Sequence, residues 1–147
     1  MKAAKNIFHY ISYLQYPFIL ISLFYLYKPL IYDLSTVWDN LNKVLILMGL
    51  GISLATLQDT QKMQNKLSRK VWQNPRYSRI FLLYLLSPVV IIISFGLYGL
   101  LLSANKQLVE IAPGIVVFGI GLIGFLKAGV EMAENHRKDQ TAKVHNA

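Results

Sequence analysis

Four long apolar segments, 7–27, 41–57, 80–102 and 111–128, set the terms for this chain. A hydrocarbon core about 30 Å thick is crossed by roughly 20 helical residues, and each segment is near that length. In lipid, backbone N–H and C=O groups must be bonded within the protein, so only helices and closed barrels span. Barrel strands alternate apolar and polar residues, and these segments do not. The expected fold is therefore all-α: a polytopic membrane protein with four transmembrane helices. A soluble domain with 54% hydrophobic and 15% charged residues would expose patches that drive aggregation. The start of the chain, with Lys2 and Lys5, resembles a signal-peptide n-region. The apolar run is too long for one, is rich in Tyr and lacks a small-x-small site, so it reads as a retained first span.

Basic residues give the orientation. Lys2 and Lys5, the group Lys62, Lys66, Arg69, Lys70, Arg76 and Arg79, and the group Lys127, Arg137, Lys138 and Lys143 fall on one side. Lys28, Lys43 and Lys106 fall on the other. Cytoplasmic loops carry the excess of Lys and Arg, so both termini are expected in the cytoplasm. Tyr10, Tyr13, Trp72 and Tyr77 sit near that boundary, and Tyr25, Tyr27, Tyr32 and Trp38 near the outer one, as interfacial anchors do. The net charge of +8 is thereby explained by membrane topology, and no nucleic-acid partner is expected.

Short outer connections favour antiparallel neighbours, hence an up-down-up-down bundle over 1–134, followed by a polar cytoplasmic tail, 135–147. Ser35 or Thr36 is the expected cap of the second helix. No strong breaker follows until Pro75, so that helix is expected to run past its span into the basic segment 58–79. There Met63, Leu67 and Val71 form a narrow apolar stripe, suited to projecting into the cytoplasm or lying on the membrane. Asn74 and Pro75 turn the chain into the third helix, Pro88 is expected to kink it, and Pro29 and Pro113 are read as helix edges.

Three groups of residues are candidates for function. Gly49, Gly51, Ser53 and Ala55 on the second helix, Gly96 and Gly99 on the third, and Gly114, Gly121, Gly124 and Ala128 on the fourth let helices approach closely. They serve either internal packing or an oligomer face. His9, Gln15, Gln58, Asp59, Arg79, Lys127 and Glu131 bring polar groups from all four helices to the cytoplasmic boundary. They are either headgroup anchors or a polar pocket. Lys62, Lys66, Arg69, Lys70 and Arg76 form a basic surface for anionic lipid headgroups or an acidic partner.

Other classes find little material here. Without cysteine there is no disulfide, thiolate zinc site or thiol nucleophile. The middle of the spans holds no Asp, Glu, Lys, Arg or His, which ion-coupled transporters use there. Only His9 lies near a span, so a two-histidine haem is not expected, and no catalytic or metal motif is present. Ser22, Ser53, Ser87 and Ser94 are the main central polar groups, and serine in such helices bonds backward or across. No catalytic, cofactor or metal site is assigned. The expected role is a non-catalytic structural or accessory subunit that associates with itself or a larger membrane protein, in a bacterial plasma membrane. The alternatives are an oligomeric, holin-like pore and a lipid- or quinone-handling enzyme using the polar ring.

Overall fold

The computed structural model describes residues 10–57, 72 and 74–136, with the backbone alone for Asn135 and His136. The described residues are helical with no strand. Helix α1 spans Gln15–Ile31, α2 Val37–Ala55, α3 Pro75–Leu101 and α4 Lys106–His136; a 3₁₀ turn, Leu34–Thr36, precedes α2. Three helices are long and apolar enough to cross a membrane: Tyr10–Ile31, Pro75–Leu101 and Lys106–Glu134. Helix α2 is not among them. Asp39, Asn40, Asn42 and Lys43 crowd its first two turns and dilute its apolar character.

Local chemistry sets the boundaries. Before α1, Tyr13 and Leu14 bond to the Tyr10 and Ile11 carbonyls, a three-residue spacing that tightens the turn. Pro17 follows, whose ring crowds the carbonyl four residues back and whose nitrogen has no hydrogen to donate. Asn74 opens α3: its Oδ1 accepts from the Arg76 N–H at 3.0 Å, with Pro75 in the first turn. Asn105 opens α4, accepting from Gln107 at 3.0 Å and Leu108 at 3.4 Å.

Four sequence expectations change. Thr36 holds the N-cap position of α2 but makes no side-chain cap bond there; the side-chain cap is Asp33, ahead of the 3₁₀ turn, whose carboxylate accepts from the Ser35 N–H at 2.9 Å and Ser35 Oγ at 2.7 Å. The Thr36 hydroxyl instead accepts from Asn40 Nδ2 at 3.0 Å. Helix α2 ends at Ala55, where Thr56 Oγ1 donates to the Ser53 carbonyl at 2.6 Å, its N–H donates to the Ile52 carbonyl at 3.2 Å and the Leu57 N–H to the Leu54 carbonyl at 3.1 Å. Pro29 and Pro113 lie inside helices, because α1 runs on to Ile31 and α4 starts at Lys106, ahead of its apolar run. Trp72 is only 6% exposed, standing edge-on to Phe81 at 5.3 Å between centroids and reaching Gly129. It is a packing residue at the foot of α3 and α4, not a headgroup anchor.

The Asp33 turn carries a pH signature. Hydrogen bonds from the Ser35 hydroxyl, then from its backbone, hold the Asp33 carboxyl below the usual carboxylate range. With the folded value depressed, the ionised turn is favoured above the ordinary aspartate value, and that preference is lost as pH falls through the folded one. An NMR titration is expected to place Asp33 below a free aspartate, and Ser35→Ala to raise it back. An unmoved Asp33 in that variant contradicts the assignment.

Packing runs as an open series, α1 on α2, α2 on α4, α4 on α3. Helices α2 and α3, consecutive in sequence, are not packing neighbours. Contacts between α1 and α2 pair Gln15 and Ile19 with Gly51, and Tyr25 with Lys43, so the two run in opposite directions. Helices α2 and α4 run in the same direction, pairing Asn42 with Gly114, Gly49 with Gly121 and Thr56 with Gly124. Helix α3 opposes α4: Gly99 meets Ala112, Gly96 meets Val116, and Leu82 and Leu85 meet Gly129. Helix α4 is the central element, and α1 and α3 are the edges.

Candidate functional site

The small residues account for the series. A Cβ on Gly49 would stand 2.6 Å from the Val117 carbonyl oxygen and 2.8 Å from Phe118 Cα, and one on Gly121 would strike the Gly49 backbone. Backbone therefore lies on backbone at this crossing, which glycine permits. Gly51, two residues along α2 and nearly opposite on its surface, faces α1 at an ordinary 3.4 Å. On α3, Gly96 and Gly99 meet Val116 and Ala112 of α4 at 2.8 and 2.9 Å from the corresponding Cβ positions. Gly124 faces Thr56. Ser53 lies in the same region of α2 and donates to the Gly49 carbonyl at 2.9 Å.

Sequence reasoning overlooked Asn42, Gly119 and Gly129. Asn42 Oδ1 accepts from the Gly114 N–H at 2.7 Å, a bond from α2 to α4 beside Pro113. The signal was available. Asn42 precedes Gly49 by seven residues, as Gly114 precedes Gly121, and equal spacing on two parallel helices places both pairs in register. Gly119 faces Ile93, and Gly129 faces Trp72, Leu82 and Leu85. Both serve the α3 side of α4.

The polar ring divides. His9, Gln58 and Asp59 lie outside the described residues, as do Lys62, Lys66, Arg69 and Lys70 of the basic segment. Gln15 is buried on α1, while Arg79 is exposed on α3 at the other edge of the series. Lys127 and Glu131 pair one turn apart on α4 at 3.3 Å, with Lys127 largely exposed. Such a surface pair contributes little to stability. Arg76 is exposed at the start of α3. Among the described residues no group of three His, Cys, Asp or Glu is placed to hold a metal.

Between α3 and α4 runs an open groove of about 420 Å³, lined by Arg79, Leu82, Leu83, Leu86, Leu126 and Val130. Its walls are almost wholly apolar. Such a shape and lining suit a hydrocarbon chain.

An all-helical protein with three helices suited to crossing a membrane is the class these features define. No protein-family model, curated protein or solved structure matches the chain.

Proposed function

We propose that this is a four-span membrane protein, up-down-up-down with both termini in the cytoplasm, acting as a non-catalytic structural or accessory subunit. The alternating helix directions and the one-sided basic residues support four crossings. Helix α2 then completes its crossing despite its polar first turns, which lie at the outer boundary beside Tyr25. A bacterial plasma membrane fits the short outer connections and the absence of cysteine.

The observation that carries the subunit reading is the open series itself. One chain packs its glycines internally and still leaves the broad outer faces of α1 and α3 uncovered. Extraction from native membranes into native nanodiscs, followed by mass measurement, tests it. A homo-oligomer or a stoichiometric membrane partner is the expected result, and a lone monomer would overturn the reading. The pore alternative has less support, because Gly49, Gly96, Gly99, Gly114 and Gly121 are occupied within the chain and cannot also line an axis between subunits.

The groove favours anionic lipid as a further partner, with the phosphate at Arg79 and an acyl chain along Leu82, Leu83 and Leu86. Arg79→Gln is expected to lower phosphatidylglycerol retained by the purified protein without changing retained phosphatidylethanolamine. Equal retention of both lipids in the variant and the parent would refute that site.

A further inference from the structure

Three features that loosen a helix meet at one point of α4. Pro113 stands inside it, with the arm Lys106–Ala112 ahead. The ring nitrogen carries no hydrogen, so the Val109 carbonyl loses its helical donor and is crowded by the ring. Gly114 follows directly, a residue of poor helix propensity. The Gly114 N–H is also donated sideways, to Asn42 Oδ1 of α2 at 2.7 Å. A proline and a side chain inserted into the backbone ladder are each ordinary causes of a bend. The other prolines inside helices lack this company. Pro29 stands two residues from the end of α1, and Pro88 of α3 is followed by Val89.

The Gly114 N–H has two acceptors within reach. The Glu110 carbonyl lies four residues back in its own helix, and Asn42 Oδ1 lies across the crossing. The hydroxyls of Ser22, Ser53 and Thr56 bond within four residues of themselves, whereas Asn42 reaches a backbone donor 72 residues away. Glycine permits that reach, because a Cβ at 114 would lie 2.6 Å from both the Asn42 carbonyl oxygen and Oδ1. The arm itself leans on α3: Ala112 and Leu108 lie 2.9 and 3.2 Å from the Cβ position of Gly99. Helix α2 therefore grips α4 at the bend, and α3 supports the arm.

We propose that Pro113 and Gly114 form a hinge in α4 and that the Asn42 amide is its latch. Latched, the Gly114 N–H sits on Asn42 and fixes the angle of the arm. Released, it belongs to the Glu110 carbonyl alone, and the arm pivots with the end of α3. The donor exchanges one acceptor for another, so neither state strands it, and the two arrangements lie close in energy. An arm of seven residues is about 10 Å long, and a bend of about 20° moves its tip by about 4 Å. The pivot changes the angle between the start of α4 and the polar first turns of α2, where Asp39, Asn40 and Lys43 stand.

Spin labels on the cysteine-free chain read the hinge by electron paramagnetic resonance. One pair, Leu34→Cys with Gln107→Cys, joins the turn before α2 to the arm at exposed positions. A second pair, Leu50→Cys with Ile120→Cys, joins α2 and α4 beyond the hinge, also at exposed positions. In nanodiscs the parent is expected to give one narrow distance for each pair. Asn42→Ala removes the acceptor and is expected to shift the first distance by about 4 Å and broaden it, with the second in place. Asn42→Asp keeps an acceptor oxygen and should keep the narrow distance. Adding Pro113→Ala to Asn42→Ala gives the Val109 carbonyl a donor again and should narrow the first distance. An unmoved first pair in Asn42→Ala would overturn the latch, as would a first pair already broad in the parent. Equal loss in Asn42→Asp would show that the acceptor oxygen is not what holds the arm. A shift of both pairs together would mean that the bond holds the whole crossing, and a distance still broad with Pro113→Ala would remove the hinge.

Discussion

Gly121→Val is expected to separate α2 from α4 and destabilise the protein by about 3 kcal/mol, the upper range for overpacking a filled interior. The cause is specific to the crossing. A Cβ at 121 meets the Gly49 backbone, which cannot rotate aside as a side chain can. The helices must move apart, and the Asn42 to Gly114 hydrogen bond two turns away is strained with them. Gly51→Ala is the matched control. Its added methyl meets Ile19 at 3.4 Å, an ordinary contact, and alanine is the better helix former by about 1 kcal/mol. Equilibrium denaturation in lipid–detergent mixtures reads both. Equal losses in the two variants would mean that the crossing is not the close one described.

Trp72→Ala is the second large effect. Removing a buried tryptophan costs about 3–5 kcal/mol, because lost transfer energy and the residual cavity add. Here the ring contacts Phe81 edge-on and reaches Gly129, so the loss falls on the joint between α3 and α4. Trp72→Phe should recover part of it. A headgroup anchor would behave otherwise, since its removal leaves no cavity. Stability unchanged by Trp72→Ala would return the residue to the anchoring role that its position suggests.

These two sites show what the sequence could and could not disclose. The all-helical class was legible because lipid imposes internal hydrogen bonding, and apolar length alone reports that constraint. The Asn74 and Pro75 start of α3 was legible because capping is local. Glycine spacing announced close packing but not the partner of each face. Gly49 and Gly51 are two residues apart, yet one meets α4 and the other α1. Which helices neighbour one another depends on the whole surface of each. For the same reason the polar ring could be read only by depth: equal depth on four helices is visible in sequence, whereas the distance between the edge helices α1 and α3 is not. Trp72 was misread because an aromatic residue near an interface has the same sequence signature whether it faces lipid or protein. The end of α2 at Ala55 was missed because Thr56 is a weak stop signal until its hydroxyl is seen on the Ser53 carbonyl.

The proposed four crossings, with both ends in the cytoplasm, can be tested directly because the chain has no cysteine. Single variants Leu34→Cys, Asn65→Cys, Ala104→Cys and Ala142→Cys would be exposed to a membrane-impermeant thiol reagent in intact cells, then after permeabilisation. Positions 34 and 104 are expected to label in intact cells, and 65 and 142 only once the membrane is opened. Positions 34 and 65 reacting from the same side would remove α2 as a crossing, leave three spans, and overturn the four-span topology.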